Sequence, residues 1–143
     1  MSLQQINYGS PEYEKMLHLR YELLRKPLGL SFDPGELEKE KEDVLIGSLE
    51  HGRLLGCCVL TRVDDKTVRL RQMAVPDNLQ GKGIGRALMI FAENRARDMG
   101  YQTLMMHARI GAIGFYEKLG YKKNDGEFIE VTIPHVVMEK RIG

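Results

Sequence analysis

A glycine-rich turn placed directly before a helical pattern constrains this chain most. Gly81, Gly83 and Gly85 alternate in the segment QGKGIGRAL, and Gly100 stands where the following pattern stops. Apolar residues then recur at three- and four-residue spacing, as on one side of a helix: Ile84, Leu88, Phe91, Ala92 and Met99. Such a turn lets backbone N–H groups approach an anion at the positive end of a helix dipole.

Three strand-like segments precede this turn and predict an antiparallel meander. Residues 44–50 and 53–63 flank His51-Gly52, which predicts a hairpin, and a second turn leads into residues 67–75. In this last segment the apolar positions change parity after Leu70, falling next at Met73 and Val75. Either Gln72 turns inward or an extra residue forms a bulge, and we favour the bulge.

The remaining segments predict an alternation of helices and strands. Ser10-Pro11 predicts the start of a helix that ends before Pro27, and the charged residues 36–44 predict a solvated surface. Further along, the chain is expected to form a strand at 103–108, a short helix at 110–120, and two strands joined around Pro134-His135.

Composition excludes several classes of protein. A length of 143 residues predicts one domain over residues 1–143, and the net charge of +1 argues against general attraction to nucleic acid or to acidic membranes. No apolar segment reaches the about 20 residues that span a bilayer, so we expect a cytoplasmic protein. Cys57 and Cys58 are adjacent and predict two buried thiols without a disulfide. No metal is expected.

Spacing excludes two of the phosphate-binding loops that glycines can form. A nucleoside-triphosphate loop requires Ser or Thr after its lysine, but Gly83 follows Lys82, and Pro76 stands where its first glycine would be. A dinucleotide fingerprint that starts at Gly81 requires glycine where Arg86 stands, and it should follow a parallel βαβ unit rather than a meander. A pyrophosphate held by the turn itself remains.

Two motifs follow one another in the chain. Gln80 to Gly85 fits Q-x-x-G-x-G after the strand RLRQMAV, and Ala112 to Tyr121 fits A-x-x-F-Y-x-x-x-G-F/Y. Together these motifs resemble those of the GNAT superfamily of N-acyltransferases. The resemblance covers residues 68–121 most clearly. It implies an α/β fold of the α+β type, in which helices flank a mixed, mostly antiparallel sheet with a splayed strand pair.

The same resemblance implies acetyl-CoA as acyl donor and assigns its contacts. The pantetheine would lie along the strand end, the pyrophosphate on the turn, and the remaining contacts on the second motif: Met73, Ala74, Val75, Gln80, Gly81, Lys82, Gly83, Ile84, Gly85, Arg86, Ala112 and Phe115. Tyr116 would be the general acid that protonates the departing thiolate, because the pKa of tyrosine, near 10, is close enough to that of a thiol, about 8.5, for a proton to pass within one hydrogen bond.

The acceptor side of the site is less marked in the sequence. The ending GEFIEVTIPHVVMEK resembles that of a GNAT subgroup, in which Pro134 and His135 align and Glu127 is displaced by one residue. Arg71, Glu130 and His135 are candidate substrate residues. The candidates for a general base are His18, His107, Glu130 and His135, with water as the alternative. Arg109 replaces an asparagine that many relatives use toward the pantetheine.

The sequence therefore predicts a transferase that acetylates a primary amine of a small molecule or peptide. A homodimer is common among such proteins and is expected as a possible assembly, without nucleic acid or membrane partners. The alternative is a non-catalytic module that binds acyl-CoA and has no acceptor site.

Overall fold

The computed structural model describes residues 1–124 and 126–143. Eight strands form one mixed, mostly antiparallel sheet. They are β1 (Ser2–Ile6), β2 (Val44–Glu50), β3 (Arg53–Arg62), β4 (Thr67–Ala74), β5 (Thr103–Arg109), β6 (Lys122–Lys123), β7 (Phe128–Glu130) and β8 (Ile133–Arg141). The strand order is β1-β2-β3-β4-β5-β8-β6, and β7 pairs with β8.

Among the described residues, four α-helices flank the sheet. They are α1 (Pro11–Arg20), α2 (Pro34–Lys39), α3 (Ile84–Asp98) and α4 (Ile113–Lys118). Ser10 caps α1 as the sequence predicts, because its Oγ accepts a hydrogen bond from the N–H of Tyr13 at 3.2 Å. Within the described residues no helix is both long and apolar enough to cross a membrane.

The chain forms two compact units, each described by itself. The first comprises Met1–Thr61 and Gln72–Ala92, and the second comprises Arg62–Arg71 and Glu93–Gly143. In the first unit, β1, β2 and β3 pair antiparallel, and the β2–β3 hairpin turns at His51-Gly52, both with positive φ. Its apolar core is built from strand and helix residues: Ile6, Tyr13, Met16, Leu45, Leu49, Leu54, Cys57, Val59 and Ala74.

A buried ion pair in the first unit contradicts one sequence expectation. Glu40 lies in the charged segment for which a solvated surface was predicted, but only 2% of it is exposed. Its carboxylate accepts hydrogen bonds from Arg20, which is fully buried, and from the hydroxyl of Tyr13. Burial of a carboxylate is tolerated here because donors satisfy both of its oxygens.

In the second unit β5 lies between β4 and β8. It pairs parallel with β4 from Thr67 to Leu70 and antiparallel with β8 along its whole length. Leu104, Met106 and Ala108 are buried on one face of β5, while Met105 and His107 alternate with them on the other.

Two further expectations are wrong in detail. The last hairpin turns at Val131-Thr132 rather than at Pro134-His135, because Pro134 is part of β8 and pairs with Ile129. A proline is tolerated near the beginning of a strand, where its missing N–H need not complete a ladder. Met99 lies beyond the end of α3 and is 43% exposed, so it does not belong to the apolar side of that helix.

Candidate functional site

The start of α3 lacks the side chains that normally cap a helix. The carbonyl of Gly83 accepts the first helical hydrogen bond, from the N–H of Ala87 at 3.0 Å, so Gly83 occupies the capping position. Glycine has no side-chain oxygen to offer to the free N–H groups of the first turn, and that turn contains no acidic residue. These N–H groups can therefore serve an external anion.

Two glycines before the helix adopt backbone conformations that other residues disfavour. Gly81 and Gly83 have φ values of +83° and +82°, and a Cβ added to either would meet no atom within 4 Å. Backbone conformation, rather than crowding by the protein, therefore accounts for these glycines. Lys82 and Arg86 lie exposed beside them, at the helix end where positive charge is unfavourable without an anion.

The strand end that precedes the turn is irregular at one residue. Gln72 lies within β4 but has a left-handed backbone with φ +56°, at the place where the apolar pattern of the sequence changes parity. Its carbonyl lies 3.8 Å from the Sγ of Cys57, and its side-chain Oε1 is buried. Met73 and Val75 are half-buried and Ala74 is buried.

Gln80 braces the loop between this strand end and the glycines. Its side-chain Nε2 donates to the carbonyl of Val75 at 3.2 Å and to Oδ1 of Asp77 at 3.3 Å. The first of these hydrogen bonds joins the two ends of the Val75–Gln80 loop.

Gly56 allows the first turn of α3 to approach β3 and the end of β4. A Cβ at Gly56 would lie 3.0 Å from Cγ2 of Ile84, 3.1 Å from Cδ1 of Leu88 and 3.2 Å from the carbonyl oxygen of Ala74. Such distances are shorter than ordinary contacts between carbon atoms. The absence of a side chain at Gly56 thus fixes the spacing of the predicted pantetheine strand and the predicted pyrophosphate turn.

Tyr116 belongs to the second unit, where it is buried among aromatic rings. It lies in α4 with 6% exposure, and its ring contacts those of Phe115 and Tyr121 edge-on at centroid distances of 5.0 and 5.9 Å. The hydroxyl of Tyr121 donates to Glu93 at 2.9 Å, and burial followed by this carboxylate raises the pKa of Tyr121. Phe115 is exposed at the surface of α4, and Ala112 precedes that helix.

Three polar side chains of the second unit meet on one face of the sheet. Nη2 of Arg69 lies 3.0 Å from Nδ1 of His107 and 3.5 Å from Oε1 of Glu130, and Oε2 of Glu130 lies 3.1 Å from the same Nδ1. All three are partly exposed. Burial lowers the pKa of the Arg69 guanidinium, and Arg71 also lowers it, while Glu130 opposes both.

Phe128 connects this cluster with His135. Its ring meets His107 edge-on at 5.1 Å and stacks on His135 at 5.9 Å. Nδ1 of the buried His135 lies 2.7 Å from the carbonyl of Ile133, which can only accept, so Nδ1 carries the proton and a neutral ring keeps its lone pair on Nε2. Phe128 was not among the predicted site residues. It stands two residues before Glu130 on β7, and residues two apart on a strand share one face, so the sequence contained a signal for it.

A family of known proteins matches most of the chain. A profile of the acetyltransferase (GNAT) family matches residues 4–121. The chain therefore belongs to the GNAT family of acetyltransferases. It is 32% identical over 81 residues to the uncharacterized protein YyaT of Bacillus subtilis (strain 168), which is 57% of this chain and 55% of that protein. The chain thus spans about half the length of that relative.

Solved structures confirm the predicted fold class. An N-acetyltransferase candidate from Lactobacillus plantarum superposes with a TM-score of 0.85 at 23% identity, over 100% of both chains. An aminoglycoside 6'-N-acetyltransferase in complex with coenzyme A superposes with a TM-score of 0.82 at 18% identity, over 100% of this chain and 98% of that one. At these identities the likeness establishes the fold alone.

Proposed function

We propose that the protein transfers an acetyl group from acetyl-CoA to a primary amine of a small molecule or peptide. The start of α3 carries this proposal, because its uncapped N–H groups, its left-handed glycines and the cations Lys82 and Arg86 suit a pyrophosphate. The coenzyme A complex of the aminoglycoside acetyltransferase with the same fold supports it.

Most of the cofactor contacts would lie along one continuous segment, from Met73 to Arg86. The backbone of Met73, Ala74 and Val75 would pair with the pantetheine arm like an added strand, and an N–H near Val75 would polarise the thioester carbonyl. The braced turn at Gln80 would present the N–H groups from Gly81 onward to the pyrophosphate. Ala112 and Phe115 would complete the contacts. Acetyl-CoA supplies the activated acetyl group.

Tyr116 is the proposed general acid for the departing thiolate. A phenol and a thiol have pKa values near 10 and about 8.5, so proton transfer within a hydrogen bond between them is feasible. Burial of Tyr116 among rings supports the proposal, because it limits the orientations of the hydroxyl.

Arg71, Glu130 and His135 are the proposed acceptor residues. The contact of Glu130 with His107 and the stacking of His135 on Phe128 support this role, since both side chains then have defined positions. Nε2 of His135 is suited to take the proton that the amine loses, because Nδ1 is engaged by Ile133.

Location, assembly and domain organisation are predictions from the sequence alone. The sequence predicts a cytoplasmic location, one domain over residues 1–143, and a homodimer as a possible assembly. Size-exclusion chromatography with light scattering would test the assembly.

A thiol-release assay tests the proposed function. The protein and acetyl-CoA are incubated with polyamines, amino acids, aminoglycosides and peptide amines, while calorimetry measures acetyl-CoA binding. Thiol release that depends on one amine class would support the transferase. Tight binding without release for any amine would instead support the non-catalytic module, and absence of binding would contradict both.

A further inference from the structure

Gln72 occupies a backbone conformation that favours glycine. Its φ of +56° lies in the left-handed region, within β4. There the Cβ of an L-residue is crowded by the backbone, whereas glycine adopts the conformation without that cost. Strained residues of this kind cluster at functional sites. His51, Val131 and Thr132 have the same conformation at hairpin turns, whereas Gln72 has it inside a strand, directly before the proposed pantetheine-binding backbone.

The carboxamide of Gln72 contributes no hydrogen bond to the fold. Its Oε1 is buried without a partner, and nothing in the described part of the chain bonds to the group. Two guanidinium nitrogens are also buried and unpaired, Nε of Arg20 and Nε of Arg69. Each belongs to a group that is bonded through another nitrogen, Arg20 to Glu40 and Arg69 to His107. The hydroxyl of Ser48 is buried and unpaired as well, but Ser48 lies inside β2. At Gln72 it is the oxygen alone that is buried without a donor, which is unfavourable unless a ligand supplies one.

The position of Gln72 limits which ligand that can be. It immediately precedes Met73, where the proposed pantetheine-binding backbone begins. No hydrogen bond holds the carboxamide, so the side chain can turn toward a ligand without breaking one. Its oxygen only accepts, so the partner must be an N–H or O–H donor. The acceptor amine is the N–H donor that must come to the acetyl end of the pantetheine.

We propose that Oε1 of Gln72 accepts a hydrogen bond from the acceptor amine and selects primary over secondary amines. This inference rests on the proposed acetyl transfer. The amine nitrogen forms a bond to the acetyl carbon as the bond from that carbon to sulfur breaks. The sulfur receives a proton from Tyr116, and the nitrogen loses one to His135 or to water.

Selectivity follows from counting the N–H bonds of the neutral amine. A primary amine has two, so one can stay on Gln72 and become the amide N–H of the product while the other is lost. A secondary amine has one, which would have to remain on Gln72 and leave in the same reaction. Gln72 therefore retards secondary amines.

Three variants separate this role from a structural one. Gln72→Met keeps the size of the side chain and removes its polar atoms, Gln72→Glu keeps the accepting oxygens, and Gln72→Gly relieves the backbone. The control Gln4→Met removes the same group from an exposed position in β1. Each is measured for Tm, acetyl-CoA Kd, and kcat/KM with the best primary amine and its N-methyl form.

We expect Gln72→Met to keep or raise Tm, to leave the acetyl-CoA Kd unchanged and to lower kcat/KM for the primary amine roughly ten-fold. Its preference for the primary over the N-methyl amine should fall toward unity. Gln72→Gly should raise Tm and lose as much kcat/KM for the primary amine as Gln72→Met does. Gln72→Glu should keep more of the preference for the primary amine than these two variants. Gln4→Met should match wild type in all these measurements.

Two results would overturn the inference while leaving acetyl transfer intact. One is a wild-type preference that Gln72→Met retains in full. The other is a rise in the acetyl-CoA Kd that accounts for the whole loss of kcat/KM, which would mean that the side chain of Gln72 contacts the cofactor instead of the amine. Wild-type protein that releases no thiol with any amine would instead contradict the proposed function as well.

Discussion

Arg20 and Glu40 form a bidentate ion pair that is closed to solvent. Nη1 and Nη2 of Arg20 lie 2.9 and 2.7 Å from the two carboxylate oxygens, and Tyr13 donates to the same carboxylate at 2.7 Å. Burial followed by the bond to Glu40 raises the pKa of Tyr13. The pair ties the end of α1 to the turn that leads into β2, across 20 residues of chain.

Loss of one member of this pair should be far more damaging than loss of both. Glu40→Gln leaves the buried Arg20 charge uncompensated and should lower the free energy of unfolding by about 3–5 kcal/mol. The double variant Arg20→Met/Glu40→Met should lower it less. Urea unfolding measures both, and a double variant at least as unstable as Glu40→Gln would contradict this account of the pair.

A methyl group at Gly56 should weaken acetyl-CoA binding. Gly56→Ala must displace Ile84, Leu88 or the Ala74 backbone, which costs roughly 1–3 kcal/mol in a packed interior and shifts the start of α3. Gly126→Ala is the matched control, since its added Cβ meets nothing within 4 Å. Calorimetry gives both affinities. Equal Kd values would show that the approach at Gly56 does not position the turn.

Removal of the Tyr116 hydroxyl should slow turnover and spare binding. Tyr116→Phe keeps the packing against Phe115 and Tyr121, so we expect the acetyl-CoA Kd to stay within about two-fold of wild type, while kcat falls about a hundred-fold as for loss of a general acid. Tyr101→Phe serves as control. Unchanged turnover in Tyr116→Phe would remove Tyr116 from the mechanism.

Stability should decline in alkaline solution because of the two thiols. Burial raises the pKa of Cys57 from 9.0 to about 12 and raises that of Cys58 as well. Above pH 9 the unfolded chain loses these protons while the folded chain keeps them, so stability is complete below pH 9 and falls as pH rises toward 12.

Urea unfolding at pH 8 and at pH 10 measures this decline. Each thiol can lower the free energy of unfolding by at most about 1.4 kcal/mol per pH unit. Cys57→Ala/Cys58→Ala should flatten the dependence, leaving the part that comes from buried tyrosines. The same slope in that variant would rule out the thiols as its source.

Substitutions at the tip of the last hairpin should stabilise the protein. Val131 and Thr132 have φ values of +50° and +64°, a conformation that β-branched residues disfavour and that Asn-Gly adopts readily. Val131→Asn/Thr132→Gly should raise the free energy of unfolding by about 1–2 kcal/mol. Differential scanning calorimetry would detect the rise in Tm, and a fall would mean that contacts of these side chains outweigh the strain.

Local signals in the sequence account for much of the fold. The Ser10 cap, the His51-Gly52 hairpin, and the glycine turn before α3 each depend on residues within one or two turns of each other, where capping and turn preferences act. The irregularity at Gln72 was also visible, because a change of parity is a local property of one strand.

Features that depend on distant partners could not be predicted. Burial of Glu40 requires Arg20 and Tyr13, at 20 and 27 residues' separation, and its own neighbours are charged. The contacts of His107 with Arg69 and Glu130 join residues 38 and 23 positions apart on three strands. The sequence did not predict the hairpin turn at Val131-Thr132, because β-branched residues are disfavoured in turns. It predicted the turn at Pro134-His135 instead, because proline commonly interrupts a strand.

The missing cap at Gly83 has a consequence for the lifetime of the protein. With a pyrophosphate bound there as proposed, the ligand completes the end of α3, and folding stability rises with its concentration, by about 2.7 kcal/mol at a hundred-fold excess over Kd. Without ligand, the start of α3 is the end at which fraying and protease attack should begin. The amount of intact protein in a cell would then follow the supply of its own acetyl donor.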